Sequence, residues 1–332
     1  MARIFTRQTF LIALLALSLA MGFGLAGGGA LAAKPADAIK ISLPTWSGYA
    51  PLLLAKEKGY FEKHGANVEF VVIQGLAERK QALAANRIQG MATALDVHVT
   101  LAAAGIPIKV VVAMDHSSGG DGILAKPGIK SLADLKGKTV AFMQGSTSHL
   151  FFLTALEKSG VPEDAVKAVD MTAGDAGAAF VAGKVDAAVT WEPWLSKAEK
   201  EGAGKVLVST RDFPGLIVDS LAFRADTVKQ NPEAIKGIVA AWYEAIEFWK
   251  AHPDEANAIM ARALNWSVAE FAETLPGLSF YDKAANLAFF GTPKAPGAIY
   301  ATAKRAADFY YNKKVIDRKP DINEMIDAAF LK

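Results

Sequence analysis

Five carboxylates and three indoles fall in loops that end strand-like runs of this chain: Asp96, Asp115, Asp121, Glu192 and Asp219, with Trp46, Trp191 and Trp194. Those loops (residues 44–49, 95–98, 115–121, 145–149, 190–194 and 219–221) contain no Lys or Arg. Acids beside aromatic faces suit a cationic or N–H-rich guest, through charge-assisted hydrogen bonds and cation–π contact. A site for a bare oxyanion would more readily recruit Arg, whose planar fork matches it. Residues Ser146, Thr147 and Ser148 follow Gly145 where a helix begins, so free N–H groups and hydroxyls there offer an anion site without Arg. A zwitterion would use both features; a guanidine-like or urea-like solute would use only the acids and rings. The expected ligand-binding set is therefore Trp46, Ser47, Asp96, Asp115, Asp121, Ser146, Thr147, Ser148, Trp191, Glu192 and Asp219.

Plainer roles stand beside these. Asp96 is equally placed to cap the helix that starts after it. Asp115 and Asp121 could instead satisfy turn donors, and Asp219 could anchor a crossover between sheets. Trp242, Phe248, Trp249 and Trp266 have helical spacing and are expected in the core. His98, His116 and His149 lie on loops but lack the tight spacing of a metal site, and His64 sits at a helix end. No nucleophile elbow or helical His-Glu-x-x-His is present. No catalytic residue, metal or cofactor is assigned.

These loops must be carried by something rigid. Strand-like runs are expected at 38–43, 67–73, 90–95, 108–114, 139–142, 166–171, 187–190, 205–209 and 218–223. Helices are expected between them, at 50–56, 76–86, 97–104, 149–160, 174–182 and 195–202. Such alternation with short connections argues an α/β fold with an open, mainly parallel sheet. The stretch 115–124, with glycines at 119, 120 and 122, reads as a crossover between two lobes, and 218–223 as the return. Beyond residue 226 the pattern is nearly all helical, with long helices opening at Asn231-Pro232-Glu233 and spanning roughly residues 295–312.

With 332 residues the chain is long enough for two domains, and its 21% charged and 52% hydrophobic residues exclude a disordered chain. Arg3 and Arg7, an apolar run at 11–20 and Ala30-Leu31-Ala32 together read as a cleavable secretory signal peptide over residues 1–32. Without those two arginines the 36 basic and 34 acidic side chains balance, so nothing steers the protein to nucleic acid. There is no cysteine, hence no disulfide and no thiolate chemistry. A periplasmic address is the simplest one.

Three runs carry a family resemblance: GYAPLLLAKEKGYF at 48–61, KSLADLKGKTVA at 130–141 and GKVDAAV at 183–189. In this order they resemble the periplasmic substrate-binding proteins of nitrate/sulfonate/taurine-type ABC importers. The resemblance implies a type II-like, two-lobed binding protein, hinged on two crossover strands, with a helical C-terminal segment. Lobe 1 would comprise 33–119 and 224–332, and lobe 2 residues 120–223. It further implies capture of a small solute, a zwitterion such as taurine among the candidates, and delivery by a monomer to a membrane permease and its ATPase. A related fold makes the thiamine pyrimidine with a cysteine-rich iron-binding stretch, chemistry closed to a chain without cysteine; the alternative, an enzyme on the same fold acting on a pyrimidine or thiamine-precursor-like ligand, would have to work through the carboxylates alone. A solute sensor would present the same cleft.

Overall fold

The computed structural model describes residues 37–332, so the expected signal segment at 1–32 lies outside the described residues. The alternating pattern resolves into two sheets. The first contains β1 (Ile39–Leu43), β2 (Val68–Val72), β3 (Gly90–Ala94) and β4 (Ile108–Ser117). The second contains β5 (Asp121–Ala125), β6 (Thr139–Phe142), β7 (Lys167–Asp170), β8 (Ala187–Trp191) and β9 (Lys205–Ser209). The chain then returns to the first sheet as β10 (Val218–Arg224), and β11 (Leu278–Phe280) adds its edge. The orders are β11-β4-β10-β3-β1-β2 and β7-β6-β8-β5-β9.

Helices connect the parallel strands. They are α1 (Ala50–Glu57), α2 (Tyr60–Lys63), α3 (Leu76–Ala84) and α4 (Leu95–Ala103) in the first half, then α5 (Thr147–Lys158), α6 (Ala173–Val181) and α7 (Trp194–Lys200). Pro51 stands in the first turn of α1, where its missing N–H costs no hydrogen bond. The core of the first sheet is a continuous apolar layer, in which β4 buries Val110 to Met114 completely, as a strand covered on both faces does. The long helix Pro232–Ala251 covers one face; its Trp242 is fully buried and donates its indole N–H to the Tyr281 carbonyl at 2.9 Å. The second sheet has its own apolar clusters, built on Phe142, Phe151, Phe152 and Val189 on one face and Phe180, Leu124 and Leu195 on the other.

Each sheet is mainly parallel as expected, four of its strands sharing one direction, with β10 and β11 reversed in the first and β5 in the second. β1 pairs in parallel with β2 and β3, but β10 inserts antiparallel between β3 and β4, and β5 runs antiparallel to both β8 and β9. The run at 218–223, expected as the return crossover, pairs with β3 and β4 along its length, and residues 210–217 join it to the second sheet.

The two crossovers touch. Ser117 and Thr210 hydroxyls hydrogen-bond at 2.7 Å, and the Gly119 N–H donates to the Thr210 hydroxyl at 2.7 Å. Gly119, at φ +116°, adopts a turn that only glycine takes without strain. The Gly277 carbonyl accepts from both Ser118 N (2.8 Å) and Gly120 N (3.0 Å), fixing the first crossover to the helical segment preceding β11.

Candidate functional site

The carboxyl ends of the strands open onto a small cavity of about 40 Å³ between the two sheets. Beyond strand carboxyl ends is where open α/β sheets hold ligands. Of the expected residues, Trp46, Asp121, Ser146, Thr147, Trp191 and Asp219 line it. Trp46 and Trp191, from opposite sheets, meet edge to face with centroids 6.1 Å apart. Thr93, Ala94 and Val97 add wall from the end of β3 and the start of α4.

Arg79 also lines the cavity, which overturns the expectation that no basic side chain reaches it. The residue sits in α3, one turn past the loop that follows β2, and shares a face with Leu76 at i, i+3. It is only 3% exposed. One terminal nitrogen donates to the Ala92 carbonyl at 3.2 Å, Nε has no hydrogen-bond partner, and among the described residues the guanidinium makes no ion pair. Burial pulls its pKa down, while Tyr49 and Asp219 push it up; a guanidinium remains charged under such pressure. Arg79 lies between the strand-ending loops at 44–49 and 95–98, inside a helix rather than on a loop. The signal was the Gln74-Gly75 loop at the carboxyl end of β2, whose following helix must aim its first turn at the cleft.

The acids answer this cation only partly. Asp219 accepts a hydrogen bond from the Tyr49 hydroxyl at 2.5 Å. Burial pushes its carboxyl up to about 7 against the lowering effect of that bond and of Arg79. Burial likewise pushes Asp121 up to about 7, with Asp219, Asp96 and Glu192 adding to the rise. Desolvation disfavours each charged form, and neighbouring like charges compound it. The cavity thus presents one unpaired cation and two carboxyls poised to titrate near neutrality.

Asp115 lies behind the wall rather than in it. It faces Asp219 across the β4–β10 pairing and is fully buried, with the Asp219 carboxyl and the Trp46 indole beside its oxygens. Burial, then Asp219 and Asp121, raise its carboxyl well above the usual range. It fits because residue 48 is glycine. A Cβ there would stand 2.2 Å from Asp115 Oδ2 and 2.3 Å from Trp46 Nε1. Gly48→Ala is therefore expected to displace the Trp46 ring and cost about 1–3 kcal/mol, the usual range for overpacking. Urea unfolding checks the stability, and near-ultraviolet circular dichroism checks the indole.

The remaining expected residues lie outside the cavity lining. Glu192 accepts from the Ser196 N–H (3.0 Å) and hydroxyl (2.8 Å), tying down the first turn of α7. Asp96 accepts from Tyr310 and Thr147 (2.6 Å to the tyrosine hydroxyl). Ser47 and Ser148 are buried with unpartnered hydroxyls. Ser146, which does line the cavity, spends its hydroxyl proton on the Met143 carbonyl at 2.6 Å. His98 is fully buried between Ser220 and the Met91 carbonyl, and burial pulls its pKa down to about 3. Among the described residues no group of three or more His, Cys, Asp or Glu side chains is placed to hold a metal.

Two α/β sheets joined by paired crossovers around a largely apolar cavity with a few charged groups in its wall define a solute-binding fold of the periplasmic type. The chain belongs to the NMT1/THI5-like family, whose model matches residues 46–256. A binding protein of Brucella abortus is 29% identical over 272 residues, 78% of this chain and 79% of that one. The taurine-binding periplasmic protein of Escherichia coli is 26% identical over 229 residues, covering 68% of this chain and 71% of that one. The crystal structure of the periplasmic aliphatic sulphonate binding protein SsuA from Escherichia coli superposes with a TM-score of 0.71 at 25% identity, covering 87% of this chain and 97% of that one.

Proposed function

We propose that this protein is the extracytoplasmic solute-binding component of an ABC importer and takes a small aminosulfonate or alkanesulfonate. The observation that carries this reading is Arg79, a buried guanidinium without an ion-pair partner among the described residues, on the wall of a cavity that also holds Asp121 and Asp219. A sulfonate would occupy the Arg79 side, helped by the N-terminus of α5 at Ser146 and Thr147. An ammonium would sit against Asp121 and Asp219 beneath the two indoles. The names of the taurine-binding and aliphatic sulphonate binding relatives support the solute class. The solute leaves unchanged, handed to a permease and ATPase by a periplasmic monomer with lobes on either side of residues 119/120 and 217/218. No helix among the described residues is long and apolar enough to cross a membrane.

The test is a thermal-shift and calorimetric screen of taurine, ethanesulfonate, nitrate, guanidine and choline on protein starting at residue 33. A ligand of the native state at a hundredfold excess over its Kd stabilises by about 2.7 kcal/mol. Taurine or ethanesulfonate is expected to give that shift, with the solute recovered intact. Stabilisation only by guanidine or choline would overturn the sulfonate assignment.

A further inference from the structure

We infer that Asp96 and Tyr310 are positioning residues: a buried carboxylate bridge that holds the start of α5 against the first-sheet half of the molecule. Asp96 belongs to the first turn of α4, and Tyr310 to the helix Ala298–Asn312. Thr147 begins α5, which follows β6 in the second sheet. The Tyr310 hydroxyl donates to Asp96 Oδ2 at 2.6 Å and lies 3.2 Å from the Ser146 carbonyl. The Thr147 hydroxyl donates to Asp96 Oδ1 at 3.0 Å. One carboxylate thus collects donors from both halves.

The surroundings make the bridge matter. Tyr310 is fully buried and packs in a small apolar cluster with Ala103, Leu150 and Ile316, so that α4, α5 and the helix Ala298–Asn312 meet at one apolar seam. Hydrogen bonds to a charged acceptor strengthen in such a setting, and breaking one strands a buried group. Burial raises the Asp96 carboxyl, with the Tyr310 and Thr147 bonds and the Lys80 ammonium opposing the rise. Other links across the gap are weaker in kind: the Lys200–Glu273 ion pair is exposed, and Trp46–Trp191 is a ring edge contact. Asp96 reaches no cavity surface itself, yet Ser146 and Thr147, which it holds, both do. The bridge therefore sets where the helix N-terminus stands relative to Arg79.

The absence of cysteine permits a clean ligand-free test. Spin labels on Glu233→Cys and Lys167→Cys, exposed positions on either half, report the separation by double electron–electron resonance. In the ligand-free protein, Tyr310→Phe is expected to add a longer-distance population. Asp96→Asn, which keeps one acceptor oxygen, should add a smaller one. Distance distributions identical to the parent in both variants would overturn the inference. A second arm rests on the sulfonate reading: taurine affinity should fall about tenfold in Tyr310→Phe, carried by faster dissociation in stopped-flow tryptophan fluorescence. A loss carried by association alone would count against the bridge. If the parent binds no sulfonate, the functional reading fails while the distance measurement still decides this one.

Discussion

Arg79→Gln is expected to weaken binding of taurine or ethanesulfonate by two orders of magnitude or more. Removing one partner of a desolvated charge pair costs about 2–5 kcal/mol, and here the substitution leaves the sulfonate facing Asp121 and Asp219 without a counter-charge. The same change should leave ligand-free stability unaltered or raised, because the buried guanidinium makes no ion pair among the described residues and its Nε is unpartnered. Affinity and stability moving in opposite directions separates a binding role from a structural one. Isothermal calorimetry and urea unfolding read the two quantities. A loss of affinity below tenfold would remove Arg79 from the ligand's shell, and an equal loss of stability would make it a packing residue.

Asp121→Asn is expected to stabilise the ligand-free protein at pH 8 by several kcal/mol and to do nothing at pH 4. An unfolded aspartate titrates near 3.9, whereas burial pushes Asp121 up to about 7 in the fold. A carboxyl raised on folding favours the native state fully below the unfolded value, and the contribution is lost as pH rises through the folded one. Three units correspond to about 4 kcal/mol as an upper bound. The wild-type protein should accordingly lose stability between pH 4 and pH 8 through this group, and the variant should lose less. Amine-bearing ligands reverse the preference by stabilising the charged form, so taurine should bind the wild type more tightly as pH rises through 7, while ethanesulfonate should bind less tightly. Urea unfolding at pH 4 and pH 8 decides the first part. Parallel pH dependence in wild type and variant would sink it.

The elements themselves were largely legible, because apolar runs such as β4 and the Pro51 helix start carry local signals. Their pairing was not. Nothing in the seven residues of β10 says that they lie antiparallel between β3 and β4; that follows from a chain reversal after the second sheet is complete. Six expected site residues line the cavity because strand-ending loops converge there in any such sheet. Asp96 and Glu192 were expected for the same reason, but their side chains turn to local donors, a choice made by Tyr310 and Ser196 rather than by their own loops. Tyr310 lies 214 positions from Asp96, a partnership that no local pattern announces. Arg79 escaped because it reaches the cavity from inside a helix.

At the first crossover, Gly120 and Gly277 stand backbone to backbone. A Cβ on residue 277 would sit 2.7 Å from the Gly120 amide nitrogen and 2.8 Å from its Cα. Any swing of one sheet against the other therefore turns beside two peptide surfaces in direct contact, with the Trp46 and Leu278 side chains against them and the Thr210 hydroxyl tying the same turn. Such a pivot passes little slack from one arm to the other.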